Sequence, residues 1–287
     1  MSSSDTRETS PTHFLEVAVE AAREAGEILI AEHSRPQTIS YKGDVDIVTE
    51  TDKKSEAAIV SRLRTHFPKH AIVAEEGGGG TAAQNAANSS RYCWYVDPLD
   101  GTTNFAHGYP CFAVSIALLE DNEPLVAAIL NPILNELFTA TRGEGSFLNQ
   151  KKIHVSQIQT ISKSLLATGF PSQKRSSNPN IHYYWEFTLR SHGVRRAGSA
   201  ALDLCSVACG RFDAFWEFGL KSWDSAAGIL LVREAGGIVT DFAGQPYHVG
   251  DRELIASNGL IHDEMRKIVA DVAERAASQT LQNPQAR

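Results

Sequence analysis

Long apolar runs are missing from this 287-residue sequence: none approaches the roughly 18 to 20 residues that a bilayer-spanning helix needs. The opening stretch MSSSDTRETSPTH has neither the basic nor the apolar segment of a signal peptide, so a cytoplasmic location with no membrane partner is expected. Positive charge is short as well. The formal net charge is -7 and no run of Lys or Arg exceeds two residues, which argues against a nucleic-acid partner and fits a protein that holds cations. Cysteine is scarce, and Cys93, Cys111, Cys205 and Cys209 form no CxxC pair, which excludes a disulfide framework. Cys205 and Cys209 share a helix face without a His or Cys neighbour to complete a zinc site, so reduced, buried thiols are expected. No internal repeat and no Ser-His or Cys-Arg nucleophile arrangement stands out; the histidines are scattered, and only His107 follows a motif closely enough to touch it.

What is present is globular sequence between two polar tails, residues 1–11 and 276–287. Phe14, Ala18, Ala21, Ala22, Ala25, Ile28 and Leu29 recur at helical spacing and predict a first amphipathic helix. A second is expected from about Asp52 to His66, stopping before Pro68. HAIVAEE, RYCWYVD, CFAVSIALL, LVAAILN and ELFTATR then read as strands, separated by turn signals such as Asp121-Asn122 and Asn131-Pro132. From KSLLATGF onward strands alternate with helices, ending in a helix near residues 259 to 275, the pattern of an α/β layer. Two units follow: an α+β subdomain over 12–150 and an α/β subdomain over 151–275. On one expected helix, Tyr183, Tyr184, Trp185 and Phe187 suit core or dimer packing better than ligand stacking. The glycine-rich residues 75 to 90 read as a mobile surface loop beside Glu75 and Glu76.

DPLDGTTNF, Asp97 to Phe105, breaks this regularity. Strands avoid Asp, Pro and Gly, and helix interiors reject Pro and Gly. A tight turn, a helix cap, and a metal and phosphate site all fit such a stretch. Asp97 is expected to end its strand, with Pro98 turning the chain so that Asp100 points back to the same spot. Two carboxylates held that close repel unless a cation lies between them. All-oxygen ligands suit a hard ion such as Mg²⁺, which accepts one or two carboxylates plus phosphate and water at about 2.0 to 2.1 Å, and Leu99 offers its carbonyl oxygen. Gly101, Thr102 and Thr103 then open a turn or short helix whose N–H groups face an anion. Further acids fall at element ends: Glu75 and Glu76 after AIVA, Asp224 opening a helix, Asp52 as an N-cap, and Asp46 in a turn. Each alone is ordinary; together they point to a shared cation site.

With VDIVTETD, IVAEE, WYVDPLDGTTNF, GSAALDL, FWEFGLKSWDSAAG and EAGG in order over about residues 14 to 275, the sequence resembles the inositol monophosphatase family, and most of all its bacterial inositol-1-monophosphatase members. The resemblance implies an α+β or α/β fold, a layered α/β/α/β/α sandwich, and often a homodimer. It implies a Mg²⁺-dependent, Li⁺-sensitive phosphatase that binds two or three ions, with Mn²⁺ as a substitute. Metal would be held by Glu75, Asp97, the Leu99 carbonyl, Asp100 and Asp224, with Glu76 at a third, weaker site. Thr102, supported by Asp52, would orient the attacking water together with Glu75. Asp100, Gly101, Thr102, Gly198, Ser199, Ala200, Glu217 and Asp224 would bind a phosphorylated polyol, Gly101 and Thr102 through backbone N–H groups. YKGDVD is one residue shorter than the matching loop of some relatives, which weakens the carry-over at Lys42.

The expected activity is hydrolysis of myo-inositol monophosphate to inositol and phosphate. Histidinol phosphate, fructose-1,6-bisphosphate and 3'-phosphoadenosine phosphate are alternative substrates, because pocket residues rather than metal ligands separate such enzymes. A metal-bound regulatory protein without turnover is the alternative of a different class.

Overall fold

Alternation along the strands sorts the side chains into layers. The structure is a computed structural model describing residues 10–33, 35, 39–42, 46–77, 90–170 and 178–282. Helix α1 (Pro11–His33) leads to a hairpin of β1 (Ile39–Lys42) and β2 (Asp46–Thr49), then to α2 (Glu50–His66). A seven-stranded sheet follows, ordered β3 (Ala71–Ala74), β4 (Tyr92–Asp100), β5 (Ala113–Glu120), β6 (Glu123–Asn131), β7 (Glu136–Thr141), β8 (Gly145–Leu148), β9 (Lys151–Ile153). Only β3 and β4 run parallel. Asp121 and Asn122 join β5 to β6 with positive φ of 51° and 66°, the backbone that a two-residue hairpin requires.

A five-stranded mixed sheet is built from β10 (Leu165–Thr168), β11 (Gly193–Arg195), β12 (Ala214–Phe218), β13 (Ile238–Thr240) and β14 (Glu253–Ser257), in the order β11-β10-β12-β14-β13. Between these strands run α4 (Asn180–Arg190), α5 (Ala200–Ala208) and α6 (Ser222–Glu234), and α7 (His262–Gln282) comes last. A short helix, α3 (Thr102–Ala106), leaves the end of β4.

Trp94 and Val96 of β4 pack with Phe14, Ala18, Ala22 and Leu29 of α1 and with Ile59 and Leu63 of α2 on one face of the large sheet. Cys93 and Tyr95 point the other way, into a core shared with Leu204 and Val207 of α5, Ile229 and Leu231 of α6, and Phe215 and Ala256 of the small sheet. Trp216 and Ile255 emerge on the far face of that sheet, under Phe187 of α4 and Met265 and Val269 of α7. The result is the five-layer α/β/α/β/α sandwich expected from the sequence. Full burial of each large apolar side chain contributes about 1.5 to 3 kcal/mol, so α5 and α6, packed between two sheets, are the least removable elements.

Several local expectations are corrected. Strand β4 does not stop at Asp97: it continues through Pro98 to Asp100, with its register to β5 shifting between the pairs Asp97–Ser115 and Asp100–Ala113. The extra residue forms a bulge, where a proline costs no ladder hydrogen bond. Asp52 is not the N-cap of α2 but its third residue. Thr49 is the cap, and Asp52 closes a reciprocal capping box. Helix α1 already begins at Pro11, and α7 continues to Gln282, past the expected end near 275. The remaining tail readings, 1–9 and 283–287, and most of the glycine-rich loop, 78–89, lie outside the described residues. The β1–β2 hairpin, with Lys42 paired to Asp46, was not expected.

Tyr183 and Phe187 are core residues, whereas Ile181, Trp185 and Leu189 form an exposed apolar stripe on α4. No helix among the described residues is long and apolar enough to cross a membrane. The four cysteines are free, and burial raises all four thiols, Cys93 to about 12 and Cys111 to about 11.

Candidate active site

Five of the acids singled out in the sequence, Glu75, Asp97, Asp100, Glu217 and Asp224, meet where the edges of three layers come together. Asp46, at the start of β2 rather than in a turn, is not among them. Glu75 follows β3, Asp97 to Asp100 form the β4 bulge, Gly198 to Asp203 open α5, Glu217 lies on β12, and Asp224 is in the first turn of α6. They line one cavity of about 190 Å³ together with Leu99, Gly101, Thr102, Gly169, Arg196 and Leu220. Of the expected ligands, Glu75, Asp97, Leu99, Asp100 and Asp224 are thus brought together, as are Gly198, Ser199, Ala200 and Glu217. Glu76 is outside the lining; its N–H donates to Glu56 Oε2 at 2.6 Å. His107 is exposed at the end of α3 and also lies outside it.

Backbone geometry explains how one strand presents two carboxylates. In the bulge, Leu99 N–H donates to Asp97 Oδ1 at 3.0 Å, folding that side chain over its own backbone, while Ser55 Oγ donates to the Pro98 carbonyl at 2.8 Å. Asp100 Oδ2 accepts from Ser199 Oγ at 2.5 Å and from Ala201 N–H at 2.8 Å, so it docks on the start of α5, where a negative charge is favoured. Gly101 makes the turn into α3 at φ 92°, and a Cβ there would sit 2.9 Å from the Cys111 carbonyl oxygen. Asn104 ties the turn to the segment before α5 by donating to the carbonyls of Cys111 at 2.7 Å and Ala197 at 2.8 Å. Asp224 Oδ2 accepts from Lys221 N–H at 2.7 Å, a first-turn cap of α6.

Asp52 lies behind the cavity, fully buried. Its Oδ2 accepts from Thr49 N–H at 2.9 Å and Thr49 Oγ1 at 2.5 Å, and its Oδ1 accepts from Thr102 Oγ1 at 3.1 Å. Thr102 Oγ1 also reaches the Leu99 carbonyl at 3.0 Å. With its single proton directed at these acceptors, the hydroxyl keeps its lone pairs for a donor in the cavity, such as water.

The electrostatics are those of crowded acid. Burial, then the charges of Glu75, Asp100 and Asp224, push Asp97 well above the usual carboxylate range. Asp224 is raised well above it by burial and by Asp100, and Asp100 is raised by burial despite its hydrogen bonds from α5. Among the described residues no three His, Cys, Asp or Glu side chains are yet drawn tightly enough to grip an ion. The donors facing the cavity are nevertheless carboxylates and a carbonyl, with no thiol or imidazole, and their repulsion is of the kind that a hard divalent cation relieves.

Three polar or small lining residues were not singled out in the sequence. Gly169 follows β10, and a Cβ there would collide with the Glu217 carboxylate, so the glycine makes room for it. Asp203 reads as an ordinary first-turn acid of α5, and Arg196 as a loop cation; only the packing of α5 against β12 reveals their place. Burial and the charges of Glu217 and Asp100 raise Asp203 well above its ordinary value. Glu217 is raised to about 8, by burial first and then by Asp224 and Asp100, while Arg196 opposes both shifts.

Comparison with known proteins adds independent findings. A family model described as the inositol monophosphatase family matches residues 10–276. The chain is 44% identical over 261 residues to an inositol-1-monophosphatase of Synechocystis sp., covering 90% of this chain and 88% of that protein. It is 44% identical over 250 residues to the Nus factor SuhB of Pseudomonas aeruginosa, covering 85% and 91%. The solved structure of an inositol monophosphatase from Anabaena superposes with a TM-score of 0.80 at 42% identity, covering 91% of this chain and 96% of that one.

Proposed function

Because the chain belongs to the inositol monophosphatase family and is a phosphatase of that kind, we propose that it is a Mg²⁺-dependent phosphomonoesterase acting on myo-inositol monophosphate. The carrying observation is the single cavity that gathers Glu75, Asp97, Leu99, Asp100 and Asp224 on one side and Glu217 and the start of α5 on the other. Glu75, Asp97, the Leu99 carbonyl, Asp100 and Asp224 are the groups that would hold Mg²⁺ or Mn²⁺. Bound there, divalent ions would supply charge neutralisation for the ester and lower the pKa of water.

The residues of the chain supply the rest. The N–H groups of Gly101 and Thr102, in a first helical turn that leaves them without intrahelical acceptors, would donate to phosphate oxygens. Thr102, its proton engaged by Asp52 and the Leu99 carbonyl, would accept a hydrogen bond from the attacking water and fix its orientation. Glu75, as a general base in the cavity, would take the proton from that water as it attacks phosphorus, while the P–O bond to the polyol breaks and its oxygen leaves with a proton from solvent water. Glu217 would accept hydrogen bonds from hydroxyls of the departing polyol. A homodimer fits the exposed apolar stripe of α4.

Phosphate release is to be measured across inositol monophosphates, histidinol phosphate, fructose-1,6-bisphosphate and 3'-phosphoadenosine phosphate, with Mg²⁺ or chelator and with Li⁺. The expected ranking puts an inositol monophosphate first, active only with Mg²⁺ and inhibited by Li⁺. A higher kcat/KM for another ester would reassign the substrate, and full activity in chelator would remove the metal role. The Pseudomonas relative named as a Nus factor supports a second reading, a protein-binding regulatory role; it would coexist with catalysis if partner binding survives Asp97→Asn.

A further inference from the structure

Glu217 is not the only acid available to recognise hydroxyl groups. Asp203, one turn into α5, is 2% exposed and lines the same cavity. Among the described residues its carboxylate makes no hydrogen bond, unlike those of Asp52, Asp97, Asp100 and Asp224. A carboxylate can accept about four hydrogen bonds, so Asp203 keeps its acceptor capacity for a donor entering the cavity.

Asp203 has different neighbours from Asp97, although Asp100 acts on both. Asp97 is acted on by Glu75, Asp100 and Asp224, whereas Asp203 is acted on by Glu217, Asp100 and Arg196. Arg196 is exposed at the rim, with Nη1 2.7 Å from where a Cβ on Gly198 would lie, and it has no hydrogen bond or ion pair among the described residues. One end of the cavity is therefore a wall of two acceptor groups beside an uncommitted donor. Carboxylates next to a guanidinium match neighbouring hydroxyls, which donate to the acids and accept from the cation. Neither an aryl group nor a simple alkyl chain could satisfy them.

We propose that Asp203, with Arg196 beside it, is a specificity-determining residue that binds ring hydroxyls of a polyol ester alongside Glu217. The inference rests on the phosphatase reading above and adds which end of the substrate is recognised. The test compares Asp203→Asn, nearly the same shape with half the acceptor capacity, and Arg196→Gln, on the exposed rim, with the wild type. Each is assayed with Mg²⁺ on inositol 1-phosphate and on p-nitrophenyl phosphate, which has no hydroxyl on its leaving group.

The expected result is a fall of roughly tenfold or more in the ratio of the two kcat/KM values for Asp203→Asn, carried mainly by a higher KM for the inositol ester. A smaller fall in the same direction is expected for Arg196→Gln. Equal losses on both esters would show that Asp203 acts only through the fold or the cation site, and an unchanged ratio would show no hydroxyl recognition; either overturns the inference while leaving the phosphatase reading intact. No phosphate from either ester with the wild type overturns that reading instead, and this inference with it. Should Asp203→Asn not fold, the Arg196→Gln ratio decides the matter.

Discussion

Asp97→Asn separates the two jobs that the cluster is assigned, because the sign of its effect depends on the cation. Asp97 is 2% exposed and faces the charges of Glu75, Asp100 and Asp224. Without metal, removing its charge relieves repulsion, so the variant should melt above the wild type in chelator at pH 8. With metal the order should reverse. An ion present at 100 times its dissociation constant stabilises the native state by about 2.7 kcal/mol. An unfolding entropy of about 2.1 cal/mol/K per residue converts that, over this chain, into a rise of about 4 to 5 °C in Tm. The variant, short of one carboxylate, should lose most of that rise. Outer partners of metal ligands already contribute about 10- to 100-fold to affinity or activity, so loss of a ligand should lower kcat/KM by about a hundredfold or more. Differential scanning fluorimetry with chelator or Mg²⁺, next to a phosphate-release assay, reads all three effects. A variant that melts below the wild type in chelator, or that keeps both the Mg²⁺ shift and wild-type turnover, refutes the reasoning.

Two more outcomes follow from the same cavity. Thr102→Val keeps the shape but removes the hydroxyl that bridges Asp52 and Leu99; kcat should fall on the order of 10²- to 10⁴-fold, whereas the Mg²⁺-induced rise in Tm should remain, and steady-state kinetics with fluorimetry will show whether it does. In chelator, stability should decline as pH rises above neutrality. Asp203 and Glu217 have raised folded-state pKa values, so the native protein holds more protons than the unfolded chain; their contribution is complete below the ordinary carboxylate range and is lost as pH rises through the folded values, about 8 for Glu217. His70 and His262, lowered to about 4 by burial, act with the opposite sign below the ordinary histidine range, so urea titrations without metal are compared at pH 7 and pH 8.5. They should favour pH 7, and equal or greater stability at pH 8.5 would contradict the assigned carboxylate shifts.

Helix α1 was legible because its apolar residues recur with a clean period, and α2 and the succession of strands because proline and turn residues bound them. The acids were legible because each falls where an element ends, so the sequence itself marks them as poorly suited to a core. Pro98 misled for a physical reason: a proline ends a regular ladder, but a bulge tolerates it, and only the pairing with β5 distinguishes the two. Asp52 misled by one turn, since Thr49 and Asp52 cap each other and either fits the first position. Asp203, Arg196 and Gly169 carry no local mark at all. Their role depends on α5 packing beside both β10, which lies far back in the chain, and β12, which follows it, a three-way contact that no short window contains.

The carboxylates that crowd this cavity are not neighbours in the architecture: Glu75, Asp97 and Asp100 leave the large sheet, whereas Asp224 starts a helix of the central layer and Glu217 belongs to the small sheet. An ion bound by Glu75, Asp97, Asp100 and Asp224 would act as a rivet between the large sheet and the central helices, resisting any sliding of one over the other. Cation loading would then set the stiffness of that junction as well as its chemistry.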